Sequence, residues 1–324
     1  MRPIRAAVLT LVAAALALPA FAQDYPNKPI RLILAYAAGG AMDLSGRVIA
    51  PILQQQMGQP VIVENRTGGA GNIGAEAVAK AAPDGYTILF FADAYTIAPS
   101  LFAKLNYDPV KDFIPVTQMV SGAHILVGHP SVPANTLPEL IAYAKANPGK
   151  LSYGTPGNGT PQHLAAELFK SLAGNLDIVH VPYKGGGQVI GDVVGGTIPL
   201  ASLGLPPSVP HIKAGKLKAF AVTSKARQAL LPDTPTFQEG GVPGFETVQW
   251  WGPAVPAGTP APIVKRLFDE FGKALRDPAF IERVGKAGLA SAPSASPEAF
   301  ASFIRSEIAR WAPVVKSTGA RVDN

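Results

Sequence analysis

Two glycine-bearing turns carry most of the chemistry that this sequence offers. Ala37 to Asp43 (AAGGAMD) and Thr155 to Pro161 (TPGNGTP) each lie between a strand-like run and a helix-like run. Backbone N–H groups at a helix start lack intrahelical partners and sit at the positive end of the helix dipole, so such turns favour an anion. Neither turn contains Lys or Arg. A carboxylate held there is therefore bound by oriented amides and by the hydroxyls of Thr155 and Thr160 rather than by a salt bridge. Hydrogen bonds to a charged group contribute about 1.5–3 kcal/mol each. Three or four of them, less ordering costs, support micromolar or better affinity. Each turn taken singly is equally a plain tight turn, with Asp43 or Thr160 capping its helix. Facing one another across a cleft, the two become a pincer.

Other chemistry is poorly supplied. There is no cysteine, which excludes disulfides, thiol nucleophiles, iron–sulfur clusters and Cys-based zinc sites. The five histidines (His124, His129, His163, His180, His211) form no HxH or HExxH pair, so no metal site is expected. No G-x-S-x-G elbow, S-x-x-K pair or G-x-x-x-x-G-K-[ST] phosphate loop occurs. Asp108 and Asp112 sit in a Pro-containing polar loop and read as turn residues. Gly69-Ala70-Gly71-Asn72-Ile73-Gly74 matches the G-x-G-x-x-G pattern, with Asp93 ending the next strand. Four residues (Asn65 to Gly68) separate it from the preceding strand, whereas the dinucleotide fingerprint begins directly after one. It reads as a surface turn entering a helix, and no cofactor is expected. An exported enzyme, dinucleotide-dependent or hydrolytic, stays as the rival class.

The two turns need elements to hold them. Arg31 to Tyr36 reads as a buried strand and Asp43 to Met57 as a helix interrupted by Pro51. Strand 61–64, helix 72–81 and strand 87–92 follow, a β-α-β-α-β order that argues for a parallel sheet in an α/β domain. The pattern recurs with strand 151–154, helix 161–173, strand 178–181, helix 188–194 and strand 218–223. The tail reads as three proline-opened helices, 261–275, 278–287 and 297–317, with no strand between them. Such helices cannot readily form a domain alone. Folding back onto the first sheet, they give a discontinuous first domain (23–123 plus 247–324) and an inserted second domain (124–246), with a hinge and a cleft between.

The amino terminus addresses the chain. Arg2 and Arg5 precede an apolar run from Ala6 to Leu18 and then Pro19-Ala20-Phe21-Ala22. This is the pattern of a secretory signal over 1–22, cleaved before Gln23 and too short to span a membrane. Losing two arginines takes the net charge from +6 to +4. An exported chain without cysteine fits a bacterial periplasm. The mild positive charge suits anionic solutes; the scattered lysines and arginines do not suit nucleic acid.

The turns are also where the chain resembles a known family. Ala35 to Asp43 (AYAAGGAMD), Gln59 to Arg66 (QPVIVENR), Ala82 to Thr87 (APDGYT), Tyr107 to Phe113 (YDPVKDF), Gly157 to Leu164 (GNGTPQHL), His180 to Gly185 (HVPYKG) and Trp250-Trp251-Gly252 occur in this order. The chain resembles the Bug-type periplasmic solute receptors of the tripartite tricarboxylate transporter family from Pro26 to near its end. The resemblance implies a two-lobed α/β periplasmic binding protein fold (a Venus flytrap, type II-like) with mixed, largely parallel sheets flanked by helices. It implies that the Gly39-Gly40 and Gly159-Thr160 turns grip one carboxylate, a di- or tricarboxylate or an aromatic acid, for delivery to large and small membrane transporter subunits. A sensor kinase is the other partner considered. Tyr36 stands where the family usually has Phe, and Ala37-Ala38 where Pro-Pro is frequent. The Gly68 to Gly71 turn is not expected to touch ligand.

The candidate ligand-binding set is Tyr36, Ala38, Gly39, Gly40, Ala41, Asp43, Asp93, Thr155, Gly159, Thr160, His163 and Ser202. Gly39, Gly40 and Ala41 are amide donors on this reading, with Gly159 and Thr160 opposite. Tyr36 stacks on the solute or closes the core. Asp93 repels a second carboxylate but accepts from an amine or hydroxyl, which sets specificity. Trp250 and Trp251 read as hinge packing, and Phe300, Phe303, Ile304, Ile308 and Trp311 as a helix face packed on the first lobe.

Overall fold

The computed structural model describes residues 25–36, 38–319 and 321. The expected export signal at 1–22, and Ala37 of the first turn, lie outside the described residues. β1 (Ile30–Leu34), α1 (Ala41–Met57), β2 (Val61–Asn65), α2 (Asn72–Ala79) and β3 (Thr87–Ala92) follow in the expected order. β1 pairs in parallel with both β2 and β3. Its apolar run is buried almost throughout, as a central strand with both faces covered requires. α1 packs directly on it: a Cβ at Gly46 would meet Leu34 Cδ2 at 2.8 Å. α3 (Ala94–Leu101) begins at Asp93 and was not legible in the sequence, because Pro99 interrupts it.

β4 (Phe113–Pro115) and β5 (Val120–Gly122) lead to β6 (His124–Gly128), α4 (Leu137–Ala146), β7 (Leu151–Thr155), α5 (Pro161–Leu172) and β8 (Ile178–Pro182). Then come α6 (Gly186–Val194), β9 (Leu200–Gly204), α7 (Leu205–Lys213) and β10 (Lys218–Val222). β11 (Gln249–Pro256), α8 (Ala261–Ala274), α9 (Pro278–Lys286), β12 (Leu289–Ser291) and α10 (Pro297–Thr318) complete the chain.

The strands form two sheets, one per lobe. The first has the order β12-β5-β11-β3-β1-β2, with β4 also on β11; the second is β10-β6-β9-β7-β8. The sheets are mixed, and their pairing corrects the expectation of largely parallel sheets. Four pairings are parallel and six antiparallel. The cause is β11, which returns to the centre of the first sheet beside β3 and carries β4 and β5 on its other edge, while β6 runs antiparallel between β9 and β10. A second correction concerns the tail. β12 lies between α9 and α10 and pairs with β5, so the last helices are not without a strand.

The passages between the sheets lie side by side. The N–H of His124 donates to Thr223 Oγ1 (2.9 Å), that of Thr223 to the His124 carbonyl (3.0 Å) and that of Thr247 to the Thr223 carbonyl (2.9 Å). α10 packs Phe300 and Ile304 into the first lobe with Phe91 and Trp250. Its C-terminal half does more than expected: Trp311 and Val315 join Ile97 and Leu101 of α3 to Leu164 of α5, an apolar contact between the lobes.

Candidate functional site

A cavity of about 870 Å³ opens between the lobes. The sheets present it with the C-terminal ends of β1, β3 and β7, where α/β folds place their ligands. Tyr36, Gly40, Ala41 and Asp93 line it from the first lobe, and Gly159 and Thr160 from the second. Six of the candidate residues thus share one space. The other six lie behind it or beside it.

The first turn is built on a carboxylate. α1 starts at Ala41 with Gly40 as its N-cap and no side-chain cap on the N-cap residue. Helix geometry leaves the first-turn amides without intrahelical partners, and Gly40, Ala41 and Met42 line the cavity. Asp43 instead turns inward. Its Oδ2 accepts from the N–H of Gly39 (3.0 Å) and its Oδ1 from Asn65 Nδ2 (3.0 Å), while Arg47 Nε reaches both oxygens. Arg47, burial notwithstanding, and then the Gly39 and Asn65 donors hold its carboxyl below the usual carboxylate range. Asp43 is therefore a brace rather than a lining residue, and the Gly39 amide is spent on it. Ala38 and Gly39 are exposed and outside the lining.

The second turn is built on imidazole. The N–H of Gly159 donates to His163 Nδ1 (3.1 Å), and the N–H and hydroxyl of Thr160 both donate to the Gly157 carbonyl. The Thr160 hydroxyl also caps α5 by accepting from the N–H of His163 (3.3 Å). The Gly159 and Thr160 amides are thus engaged within the turn, which corrects their reading as free donors. Sequence spacing could not show this, because the acceptor is a side chain one helical turn on. Asn158, which makes no hydrogen bond to another described residue, and the first-turn amide of Gln162 are what this turn offers, and both residues line the cavity. His163 stacks on His180 with centroids 3.9 Å apart. Thr155 is fully buried with its hydroxyl 2.6 Å from His180 Nε2. Burial lowers the pKa of His163, and burial followed by the His163 neighbour takes His180 down to about 4. Ser202 donates to the Gln162 carbonyl (2.9 Å) from a buried position. Thr155, His163 and Ser202 hold the turn from beneath and do not line the cavity.

The floor and walls add residues that the sequence reading did not nominate. Gly69 and Ala70 line the cavity, contrary to the expectation for that turn; Tyr36 draws it in by donating its hydroxyl to the Ala70 carbonyl (3.2 Å). His124, Gln249 and Trp251 lie where the chain passes between lobes, and Lys184 comes from the second lobe. Trp251 is buried, and its Nε1 donates to Ser45 Oγ (2.8 Å), so it offers the cavity only ring surface. Trp250 is fully buried against Phe91, Phe300 and Phe303 and stays out of the lining. The place of Lys184 within the HVPYKG segment and that of Gln249 beside the paired tryptophans were the available signals.

Among the described residues no group of three or more His, Cys, Asp or Glu could hold a metal ion. No helix among them is long and apolar enough to cross a membrane.

Comparison with known proteins supplies the family and the fold. The sequence profile described as the tripartite tricarboxylate transporter family receptor matches residues 46–320. The chain is 36% identical over 314 residues to protein BugT of Bordetella pertussis, covering 96% of each chain. It is similar in structure to R. palustris Rpa4515, solved with adipate, at 34% identity and a TM-score of 0.78, over 92% of this chain and 100% of that one. MatC of Rhodopseudomonas palustris, solved with bound malate, matches at 31% identity and a TM-score of 0.74, over 90% and 100% of the chains.

Proposed function

The chain belongs to the tripartite tricarboxylate transporter receptor family, and from that premise we propose that it captures a small organic carboxylate between its lobes for a membrane transporter. One observation carries the reading. Gly40 and Ala41 from one helix start and Gly159 and Thr160 from another line the same cavity, so an anion placed there meets both turns at once.

The cavity suits a carboxylate better than a more highly charged group. Its cationic lining is confined to Lys184 among the described residues, so the anion is held by backbone donors and the two helix dipoles. On this reading the first-turn amides of α1 bind one face of the carboxylate, and Asn158 with the Gln162 amide binds the other. Only a closed cleft lets both sets engage. Shifting a two-state equilibrium from 1:99 to 99:1 needs about 5.5 kcal/mol of differential affinity. Three or four charge-assisted hydrogen bonds formed on closure are of that size.

The moving units are 23–123 plus 247–324 and 124–246, joined by the paired passages at His124, Thr223 and Thr247. The signal at 1–22 delivers the chain to the periplasm, and the closed form docks on large and small integral membrane subunits. The protein performs no turnover of its own on this account.

Thermal-shift screening of ligand-stripped protein against di- and tricarboxylates and aromatic acids, followed by calorimetry, tests the reading. At one hundred times Kd a ligand stabilises the native state by about 2.7 kcal/mol, a shift of several degrees. At least one acid is expected to bind at micromolar Kd or better. Binding of none of them would contradict the proposal.

A further inference from the structure

The inner end of the cavity holds polar atoms that the fold leaves unpaired. Asp93 follows β3, with its N–H donating to the Trp250 carbonyl (3.0 Å) and its Oδ1 accepting from the N–H of Ala94 (2.9 Å). Its Oδ2 is buried and has no partner. His124 opens β6, and both of its ring nitrogens are buried without a partner. Asp93 is 7% exposed and His124 1%, and both line the cavity. A third unpaired group nearby, the Trp250 indole, faces the core instead.

Asp93 borders the first sheet, and His124 opens the second sheet directly after β5 of the first. Asp93 bonds to β11 at Trp250, and β5, which leads directly into His124, pairs with β11 at Gln249 and Trp250. One strand, β11, lies between Asp93 and the end of β5, about two strand spacings or roughly 10 Å, and His124 follows β5 by two residues. A single small molecule in the cavity can reach both side chains.

Resting on the carboxylate-receptor reading above, we propose that Asp93 and His124 select an acid that carries a hydroxyl or amino group in addition to its carboxylate. A buried polar group left unsatisfied is costly, so ligand groups that complete these atoms gain more than they would in water. A neutral imidazole offers one donor and one acceptor. A hydroxyl donates to Asp93 Oδ2 while accepting from the His124 ring; an ammonium donates to both. A plain dicarboxylate brings only acceptors to this end, so it can pair only with a protonated Asp93 and leaves the acceptor atoms of Asp93 and His124 without a donor.

Without ligand Asp93 is largely protonated near pH 7, and a ligand donor, above all an ammonium, draws it to the carboxylate form. Burial lifts Asp93 to about 8, with Glu307 of α10 adding to the rise, and burial takes His124 down to about 4. Tyr36 also faces Asp93, and Lys184 is the cation on the cavity wall. A donor brought to Asp93 Oδ2 therefore supplies stabilisation that the protein itself does not.

The test is calorimetry on ligand-stripped protein with two matched series: succinate, malate and aspartate, and glutarate, 2-hydroxyglutarate and glutamate. The wild type is expected to bind a hydroxy or amino member at least tenfold tighter than the plain diacid of the same length. In Asp93→Ala that ratio falls tenfold or more, with folding checked by thermal unfolding. Plain diacids binding as tightly as their substituted partners in the wild type, or an unchanged ratio in a folded Asp93→Ala, would overturn the inference while leaving the receptor reading intact. Failure of every acid, extended to the wider carboxylate panel, would remove the receptor reading and this inference with it.

Discussion

The two turns that face the cavity perform one task with opposite chemistry beneath them. Under the first, a carboxylate receives the Gly39 amide and is itself pinned by Arg47 and Asn65. Under the second, a neutral ring receives the Gly159 amide and stacks on another neutral ring. The first turn keeps its charge partner at any ordinary pH, because Asp43 titrates below the usual range. The second depends on rings that must stay unprotonated, since His163 Nδ1 accepts only while it carries no proton. The turns differ in space as well. A Cβ on Gly39 would meet nothing within 4 Å, whereas one on Gly159 would meet Leu101 Cδ2 at 2.6 Å, across the gap between lobes. The first turn is charge-braced and open, and the second is ring-braced and wedged against the opposite lobe.

The largest expected effect breaks the first turn's role alone. Ala41→Asp places a carboxylate at an exposed helix start, where it stabilises the helix but repels the ligand anion. Carboxylate affinity should fall at least about a hundredfold, or about 2.7 kcal/mol, while the unfolding temperature stays or rises. Calorimetry beside a thermal melt reads both, and retained affinity would remove the first turn from the site.

The next effect sharpens the difference in space. Gly39 and Gly159 both have left-handed backbone, with φ of 84° and 70°. Gly39→Ala should cost about 1 kcal/mol of stability. Gly159→Ala should cost about 2–4 kcal/mol, because overpacking against Leu101 adds to the same backbone strain. Denaturant unfolding of the two variants compares them directly, and equal costs would mean that the lobes are not wedged at Leu101.

A smaller effect separates the braces by pH. His180 has its pKa depressed to about 4 from an ordinary 6.5, and that of His163 is depressed as well. The unfolded chain binds more protons between those values, so the associated stability is present above pH 6.5 and lost as pH falls toward 4. His180→Gln should remove about 1–2 kcal/mol of that slope, discounted for the ring's partial exposure. Asp43 contributes no change across this window. Denaturant melts at pH 7 and pH 4.5 provide the check, and an undiminished slope in the variant would assign it elsewhere, His124 being next in line.

The sequence exposed the helix starts more fully than their internal wiring. Glycine punctuation and apolar runs located β1, β3 and the starts of α5, α9 and α10 to within a residue or two, because burial and capping are local signals. β11 escaped. Gln249–Pro256 contains Gly252, Pro253 and Pro256 and shows no alternation, since it is buried on both faces at the sheet centre. Gly252 is required there because a Cβ would run into the Thr117 carbonyl, a contact between residues far apart in sequence. α7 escaped for a similar reason, as Pro206, Pro207 and Pro210 argue against the helix that tertiary packing nonetheless supports. Within the site, the shared cavity followed from two glycine turns. The roles of Asp43, His163 and Ser202 as supports, and of His124 as a lining residue, depend on which way a side chain turns.

The account stands or falls on one carboxylate being held by both turns together. A crystal structure with a bound acid measures this directly. It should place the carboxylate oxygens about 3 Å from first-turn amides of α1 and, at the same time, about 3 Å from Asn158 or the Gln162 amide. A carboxylate bound to one lobe only, with the other turn more than a hydrogen bond away in a closed cleft, would contradict it.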